Sequence, residues 1–220
     1  MKNLNQQLLN FGHTQNFKDE DYYVSNCNYY AFELINSWPK WEKNFLNIHG
    51  EKNSGKTHLA SIFLKKSKSK SIDAHSFNNN DLTNIKIYQN IVLDNFDSSV
   101  NERLIYSLFN IIDQDNKYLI INSLIPINQI NFDLEDLKSR ANNCLFAKIE
   151  KPDDELMFAL ILKNFSDRQI IIDKKLIDFI IKRINRSYSK ISEFIYKIDE
   201  ISLKKKKPID LKTIKEVLKV

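Results

Sequence analysis

Glycine is scarce in this chain, with three residues among 220, at positions 12, 50 and 55. Two of them lie within six positions of each other, so the backbone there must adopt a conformation that a Cβ resists. Cysteine is as rare. Cys27 and Cys144 stand far apart, without the spacing of a disulfide framework or a metal knuckle, and read as free thiols of a reducing cytosol. The four histidines, His13, His49, His58 and His75, show no metal-ligand spacing. No run reaches the ~18 apolar residues of a membrane-crossing helix. The first twelve residues lack the apolar stretch of a secretory signal, so the expected location is cytoplasmic. Neither sign of charge dominates, since 33 Lys and Arg face 28 Asp and Glu. The densest basic runs, residues 65–70 and 204–207, fall where helices are expected to end. They read either as solvated helix termini or as a nucleic-acid patch.

What is present begins with Gly50-Glu51-Lys52-Asn53-Ser54-Gly55-Lys56-Thr57, a complete G-x-x-x-x-G-K-[ST] phosphate loop. The bland alternative is a surface turn before a helix. The context favours the loop: residues 45–49 are a short apolar run, and residues 58–64 have helical spacing. In such a loop Gly50 and Gly55 permit the turn, and successive N–H groups from Asn53 and Ser54 onward form an anion nest at a helix N-terminus. Lys56 reaches the β- and γ-phosphates, and the Thr57 hydroxyl ligates Mg²⁺. A second apolar strand, residues 91–94, ends in Asp94, the carboxylate expected to help hold the metal. The next residue, often the base for a metal-bound water, is Asn95, which cannot accept a proton. Asp97 is the nearest substitute, and intrinsic hydrolysis is expected to be weak or absent. A GTPase is disfavoured, because Asn116-Lys117-Tyr118-Leu119 lacks the acid of a guanine-reading box. A nucleotide kinase needs a basic lid for which few Arg are available.

Strands are predicted at residues 45–49, 71–74, 91–94, 118–122 and 144–149, with a helix over 102–113. That alternation implies an α/β fold, a parallel sheet flanked by helices. After Pro152 the pattern turns helical, with helices over 153–165, 173–184, 189–203 and 210–219, and one optional strand at 170–172. The chain thus divides into a flexible leader (1–16), a nucleotide-binding α/β domain (17–150) and a small all-α lid domain (151–220).

Taken together, these pieces resemble the AAA+ P-loop NTPases of the DnaA/Hda family. Residues 17–28, with Tyr22-Tyr23-Val24, resemble the family's aromatic segment beside the adenine base, which implies nucleotide contacts from Tyr23 and Val24. Gly55-Lys56-Thr57-His58-Leu59 is close to the family's phosphate loop and adds His58. Ile120-Ile121-Asn122-Ser123 is similar to the sensor-1 strand, which implies that Asn122 senses the γ-phosphate. Asp136-Leu137-Lys138-Ser139-Arg140 is similar to the arginine-finger box, which implies that Arg140 acts in trans on a neighbour's nucleotide. On residue types alone, a surface ion-pair partner is the favoured reading of Arg140, and the box around it reverses that preference. Gln6-Gln7-Leu8-Leu9-Asn10-Phe11 resembles peptides that dock on the DNA polymerase sliding clamp through Gln6, Leu9 and Phe11. That leader, the ending at Val220 without room for a DNA-reading domain, and Leu93-Asp94-Asn95 resemble the Hda group more than the initiator. The resemblance implies ADP or ATP with Mg²⁺ as ligands. The implied partners are the clamp and the initiator DnaA, in a homo- or hetero-oligomer with no sequence-specific DNA contact. The implied role is stimulating the initiator's ATP hydrolysis, a negative regulation of replication initiation. The family's sensor-2 arginine is replaced by Ser189, with Arg186 and Lys190 nearby. The competing expectation is a self-sufficient DNA-dependent ATPase, helicase-loader-like.

Overall fold

The computed structural model describes residues 22–66, 68–168, 170, 172–205 and 209–219. Five strands, β1 (Phe45–Gly50), β2 (Ser69–Asp73), β3 (Asn90–Phe96), β4 (Tyr118–Ser123) and β5 (Leu145–Ile149), form one sheet in the order β2-β3-β4-β1-β5. Every pairing is parallel. Parallel neighbours need crossovers, supplied by α2 (Lys56–Leu64), α3 (Asn79–Asn84), α4 (Glu102–Gln114) and α5 (Glu135–Asn142), while α1 (Tyr29–Ser37) precedes β1. Strand side chains alternate between two cores. Ile91, Leu93, Leu119 and Ile121 pack with Ile105, Leu108 and Phe109 of α4 on one face. Leu46, Ile48, Val92 and Ile120 pack with Leu59, Ile62 and Phe63 of α2 on the other. Both faces are dry, which is why the central strands are continuously apolar rather than alternating.

Four further helices follow: α6 (Asp154–Asp167), α7 (Lys174–Ile181), α8 (Tyr188–Lys205) and α9 (Leu211–Leu218). They bury Met157, Ile161, Phe165, Ile177, Ile195, Ile198 and Ile214 in a core of their own. Asp153, Asp173 and Asp210 cap α6, α7 and α9 by accepting first-turn N–H bonds. The expected helix over 173–184 stops at Ile181, where Arg183 N–H bonds to Ile180 O and tightens the last turn. Residues 170–172 pair with no strand at the described positions. Ile170 and Ile172 instead lean on the core of the four helices. Among the described residues no helix is long and apolar enough to cross a membrane.

The strand order decides where a ligand can bind. β1 lies between β4 and β5 although β2 and β3 follow it in the chain, so crossovers diverge around β1. Ligands of such sheets sit outside the carboxyl ends of the strands at that divergence. Gly50, Asp94 and Asn122 all stand at those ends.

Candidate functional site

β1 runs into the phosphate loop at Gly50, where φ is +157°. A Cβ there would stand 2.8 Å from the Ile149 carbonyl oxygen of β5 and 3.2 Å from Ile149 Cβ. Backbone cannot yield as a side chain can, so only glycine fits. Gly55, the residue before α2, has φ +93°, and Asn53 has φ +67°. These left-handed residues curl the loop so that its N–H groups can face one point, as an anion nest requires. Gly50→Ala is expected to cost about 2–4 kcal/mol of stability, read as a lower urea midpoint. Gly55→Ala should cost less, because its Cβ meets the movable Tyr22 ring at 3.2 Å.

Lys56 opens α2 and extends along the loop. Its Nζ donates to Gly50 O and Glu51 O, both at 2.8 Å. Burial lowers its pKa from the ordinary lysine value, while the charges of Asp94 and Glu51 draw it back up. The Thr57 hydroxyl donates to Asp94 Oδ2 at 2.9 Å, and Asn122 Nδ2 donates to Asp94 Oδ1 at 3.2 Å. The expected metal carboxylate, metal hydroxyl and sensor residue therefore meet on one side chain.

Asn122 is fully buried, and its Oδ1 has no hydrogen-bond partner in the structure. An orphaned acceptor beside a carboxylate–hydroxyl pair is suited to a donor brought in from outside, such as water on a bound cation. Mg²⁺ usually keeps several waters and takes one or two carboxylates together with phosphate oxygens. The donor set of Thr57, Asp94 and Lys56 fits a magnesium nucleotide. Among the described residues no group of three or more His, Cys, Asp or Glu could hold a metal alone.

Asn95 is turned out of this cluster. Between Leu93 and Phe96 the register of β3 against β4 slips, and Asn95 takes φ +57°. This bulge re-aims the strand end. Asn95 Nδ2 donates to Asp73 Oδ2 at the end of β2, at 2.6 Å. That bond holds the Asp73 pKa below the ordinary carboxylate value. Asp97, the substitute base, is engaged elsewhere. Its Oδ1 accepts from the Ser99 hydroxyl at 2.6 Å, which lowers its pKa, and its Oδ2 lies 3.6 Å from His75 Nε2.

Two residues outside the expected set of site residues support the cluster. Asn47, fully buried in β1, donates to Ile121 O and Ser123 Oγ and accepts from Ile127 N–H, fastening the exit of β4 just beyond Asn122. An Asn inside an apolar strand was the available signal. Tyr22, rather than Tyr23, lies over the loop. Its ring meets His58 edge-on at 5.2 Å and stacks on Phe32 at 5.8 Å. Tyr23 is exposed and donates its hydroxyl to Glu155 at 2.5 Å, and Val24 beside it is half-buried.

Of the remaining expected residues, Arg140 bonds to α4 and Ser189 to the loop. Arg140, near the end of α5, donates to the Asp113 carboxylate and to Asn110 Oδ1 at 2.7 Å, both on α4. Its Cζ lies 5.6 Å from the Tyr106 ring. Ser189 donates its hydroxyl to Lys52 O at 3.3 Å, while Arg186 pairs with Asp154 and Lys190 with Glu193. Gln6, Leu9 and Phe11 lie outside the described residues. Cys27 and Cys144 are buried and free, and burial pushes the Cys144 thiol up to about 12.

No protein-family model matches the chain. A stretch of 115 residues is 29% identical to the chromosomal replication initiator protein DnaA of Chlorobaculum tepidum, covering 52% of this chain and 23% of that protein. The chain therefore spans only about a quarter of this relative. Domain III of the Thermotoga maritima replication initiation protein DnaA superposes with a TM-score of 0.75 at 20% identity, covering 92% of this chain and 95% of that one. AMPPCP-bound DnaA from Aquifex aeolicus superposes with a TM-score of 0.67 at 18% identity, over 84% of this chain and 65% of that one. The parallel five-stranded sheet flanked by helices, with the phosphate loop leaving its β1, has the fold of an AAA+ P-loop NTPase, and that fold is similar to the fold of DnaA domain III.

Proposed function

We propose that this chain is a nucleotide-binding regulator of chromosomal replication initiation, of the Hda type. One observation carries the reading: a complete phosphate-binding apparatus stands beside a disabled base. Lys56, Thr57, Asp94 and Asn122 converge, while Asn95 is hydrogen-bonded away on Asp73. Such a site holds a nucleotide without turning it over quickly. The likeness to DnaA, including an AMPPCP-bound form, supports ADP or ATP with Mg²⁺ as the ligand and replication as the setting. When bound, the magnesium nucleotide supplies the polyphosphate charge that the loop is built to receive. Lys56 and the loop N–H groups hold the phosphates, Thr57 and Asp94 face the cation, and Asn122 orients Asp94. In this reading the base packs near Tyr22 and His58, whose rings meet beside the loop, and near Tyr23 and Val24.

In this reading residues 1–16 tether the chain to the sliding clamp through Gln6, Leu9 and Phe11. Residues 17–150 form the nucleotide domain, and residues 151–220 form the helical lid. Arg140 faces the ATP of an adjoining DnaA molecule and provokes its hydrolysis, in the cytoplasm. The tether is tested by capture on immobilised clamp. Wild type should be retained, and Gln6→Ala with Phe11→Ala should lose retention at least tenfold. A wild type that passes through unretained would sink the adaptor reading. Strong DNA-stimulated ATP hydrolysis by the chain alone would support the helicase-loader-like alternative instead; Asn95, held on Asp73, weighs against it.

A further inference from the structure

Three of the four C-terminal helices are capped by the aspartate that precedes them, but α8, preceded by Ser187, is capped in addition from the phosphate loop. The carboxylate of Glu51, second residue of the phosphate loop, accepts the Ser187 hydroxyl and the N–H groups of Tyr188 and Ser189, both at 3.2 Å. Ser187 Oγ in turn accepts from Lys190 N–H, and Ser189 Oγ donates back to Lys52 O. We propose that Glu51 is the positioning residue through which nucleotide occupancy of the loop is passed to α8 and the helices packed with it. This inference rests on reading residues 50–57 as a nucleotide site.

Glu51 joins, through its backbone and its side chain, two sets of bonds. Its carbonyl oxygen accepts from Lys56 Nζ at 2.8 Å, and its carboxylate holds the first turn of α8. A phosphate in the loop competes with the Gly50 and Glu51 carbonyls for the Lys56 ammonium and recruits the loop N–H groups. Ordering the loop in this way reduces the freedom of the Glu51 backbone and so favours the carboxylate's three bonds to α8. Burial disfavours the charged carboxylate, but those bonds win and hold its pKa below the ordinary value, so it is ionised at the positive end of the helix.

The arrangement also accounts for the missing arginine. The cations at the start of α8 are engaged elsewhere, Arg186 with Asp154 at 2.6 Å and Lys190 with Glu193 at 2.9 Å. Ser189 carries no charge to offer a phosphate. The link between loop and helices here runs outward from the loop, by an anion meeting a helix N-terminus, instead of inward from the helix by a cation. Tyr188, buried, adds a second anchor by donating its hydroxyl to Glu150 O at the end of β5. The helix start is therefore held at the sheet edge while Glu51 sets its cap.

Hydrogen exchange on the full chain tests this, because the Tyr188 and Ser189 amides are capped by Glu51 itself. With ADP and Mg²⁺ as the probe, wild-type exchange at those two amides should slow several-fold. In Glu51→Ala they should exchange fast with or without ADP. Coupling is reciprocal, so ADP affinity should fall about five- to tenfold, on the scale usual for coupled sites. Ser187→Ala, a milder change, should lose part of the slowing, with the strand amides of β1 and β4 as an internal check of folding. If ADP binds Glu51→Ala as tightly as wild type and leaves Tyr188 and Ser189 unprotected in both, the coupling is overturned while the nucleotide site stands. If wild type binds no ADP, the nucleotide reading fails and takes the coupling with it.

Discussion

Lys56→Ala is expected to weaken nucleotide binding by two to three orders of magnitude while leaving the chain folded. Among the described residues the lysine is the only cation hydrogen-bonded to the loop carbonyls, donating to Gly50 O and Glu51 O. A bound polyphosphate would exchange those neutral acceptors for charged ones. Hydrogen bonds to charged groups contribute about 1.5–3 kcal/mol each, so losing two costs roughly 3–6 kcal/mol, and the lower half of that range is about a hundredfold to a thousandfold in affinity. Titration with a fluorescent ADP analogue measures the loss, and circular dichroism checks the fold. Lys56→Arg should not restore binding, because a planar fork cannot follow the path of a lysine stem between two carbonyls. Since burial lowers the Lys56 pKa, its charge is lost as pH rises, and earlier than for an unperturbed lysine. Wild-type affinity should therefore decline at a lower alkaline pH than an ordinary lysine would give. Equal affinity of Lys56→Ala and wild type would remove the phosphate-loop assignment.

The parts of this fold that a linear reading finds are those whose signals are local. Four of the five strands stand, to within two residues, where short apolar runs between turns placed them, and β2 is displaced, to Ser69–Asp73. There Ser-Lys-Ser is an edge strand with an exposed face and carries little pattern. The helix α3 went unread although Asn78 and Asp81 form a capping box, the signal that could have found it. The helix α1 has no such help, as Asn28 makes no side-chain cap to it. The loop and Asp94 were legible because spacing alone defines them. The displacement of Asn95 was not, since it depends on a bulge and on Asp73 from another strand. Nor could any pattern tell that Tyr22 rather than Tyr23 lies on the loop, or that Glu51 caps a helix 136 residues away. Such contacts follow from strand order, which adjacent residues do not encode.

Arg140→Ala is expected to abolish stimulation of the initiator's ATP hydrolysis, returning it to the initiator's own slow rate, while capture on the sliding clamp is unchanged. The competing reading is structural, and magnitudes separate the two. Tyr106, Asn110 and Asp113 occupy one face of α4 at spacings of four and three, and together they hold the guanidinium. The Arg140 and Asp113 side chains are 30% and 46% exposed. An ion pair so wet is worth about 0–1 kcal/mol, and the Tyr106 contact adds about 0.5–1 kcal/mol. Losing both could shift the fold's stability slightly. It could not produce the roughly thousandfold or larger loss that removal of an arginine finger gives, which corresponds to about 4 kcal/mol of barrier. Asp113→Asn supplies the contrast. It removes the ion pair but keeps a hydrogen-bond acceptor, the Asn110 bond and the Tyr106 contact, so it should cost no more stability than Arg140→Ala and retain most of the stimulation. Arg140→Lys should fail to restore it, lacking the fork that reaches two phosphate oxygens at once. The measurement is phosphate release by the initiator in the presence of clamp and each variant. If Arg140→Ala stimulates as wild type does, or if Asp113→Asn is equally inactive, the arginine is a tie between α4 and α5 and its action in trans is refuted.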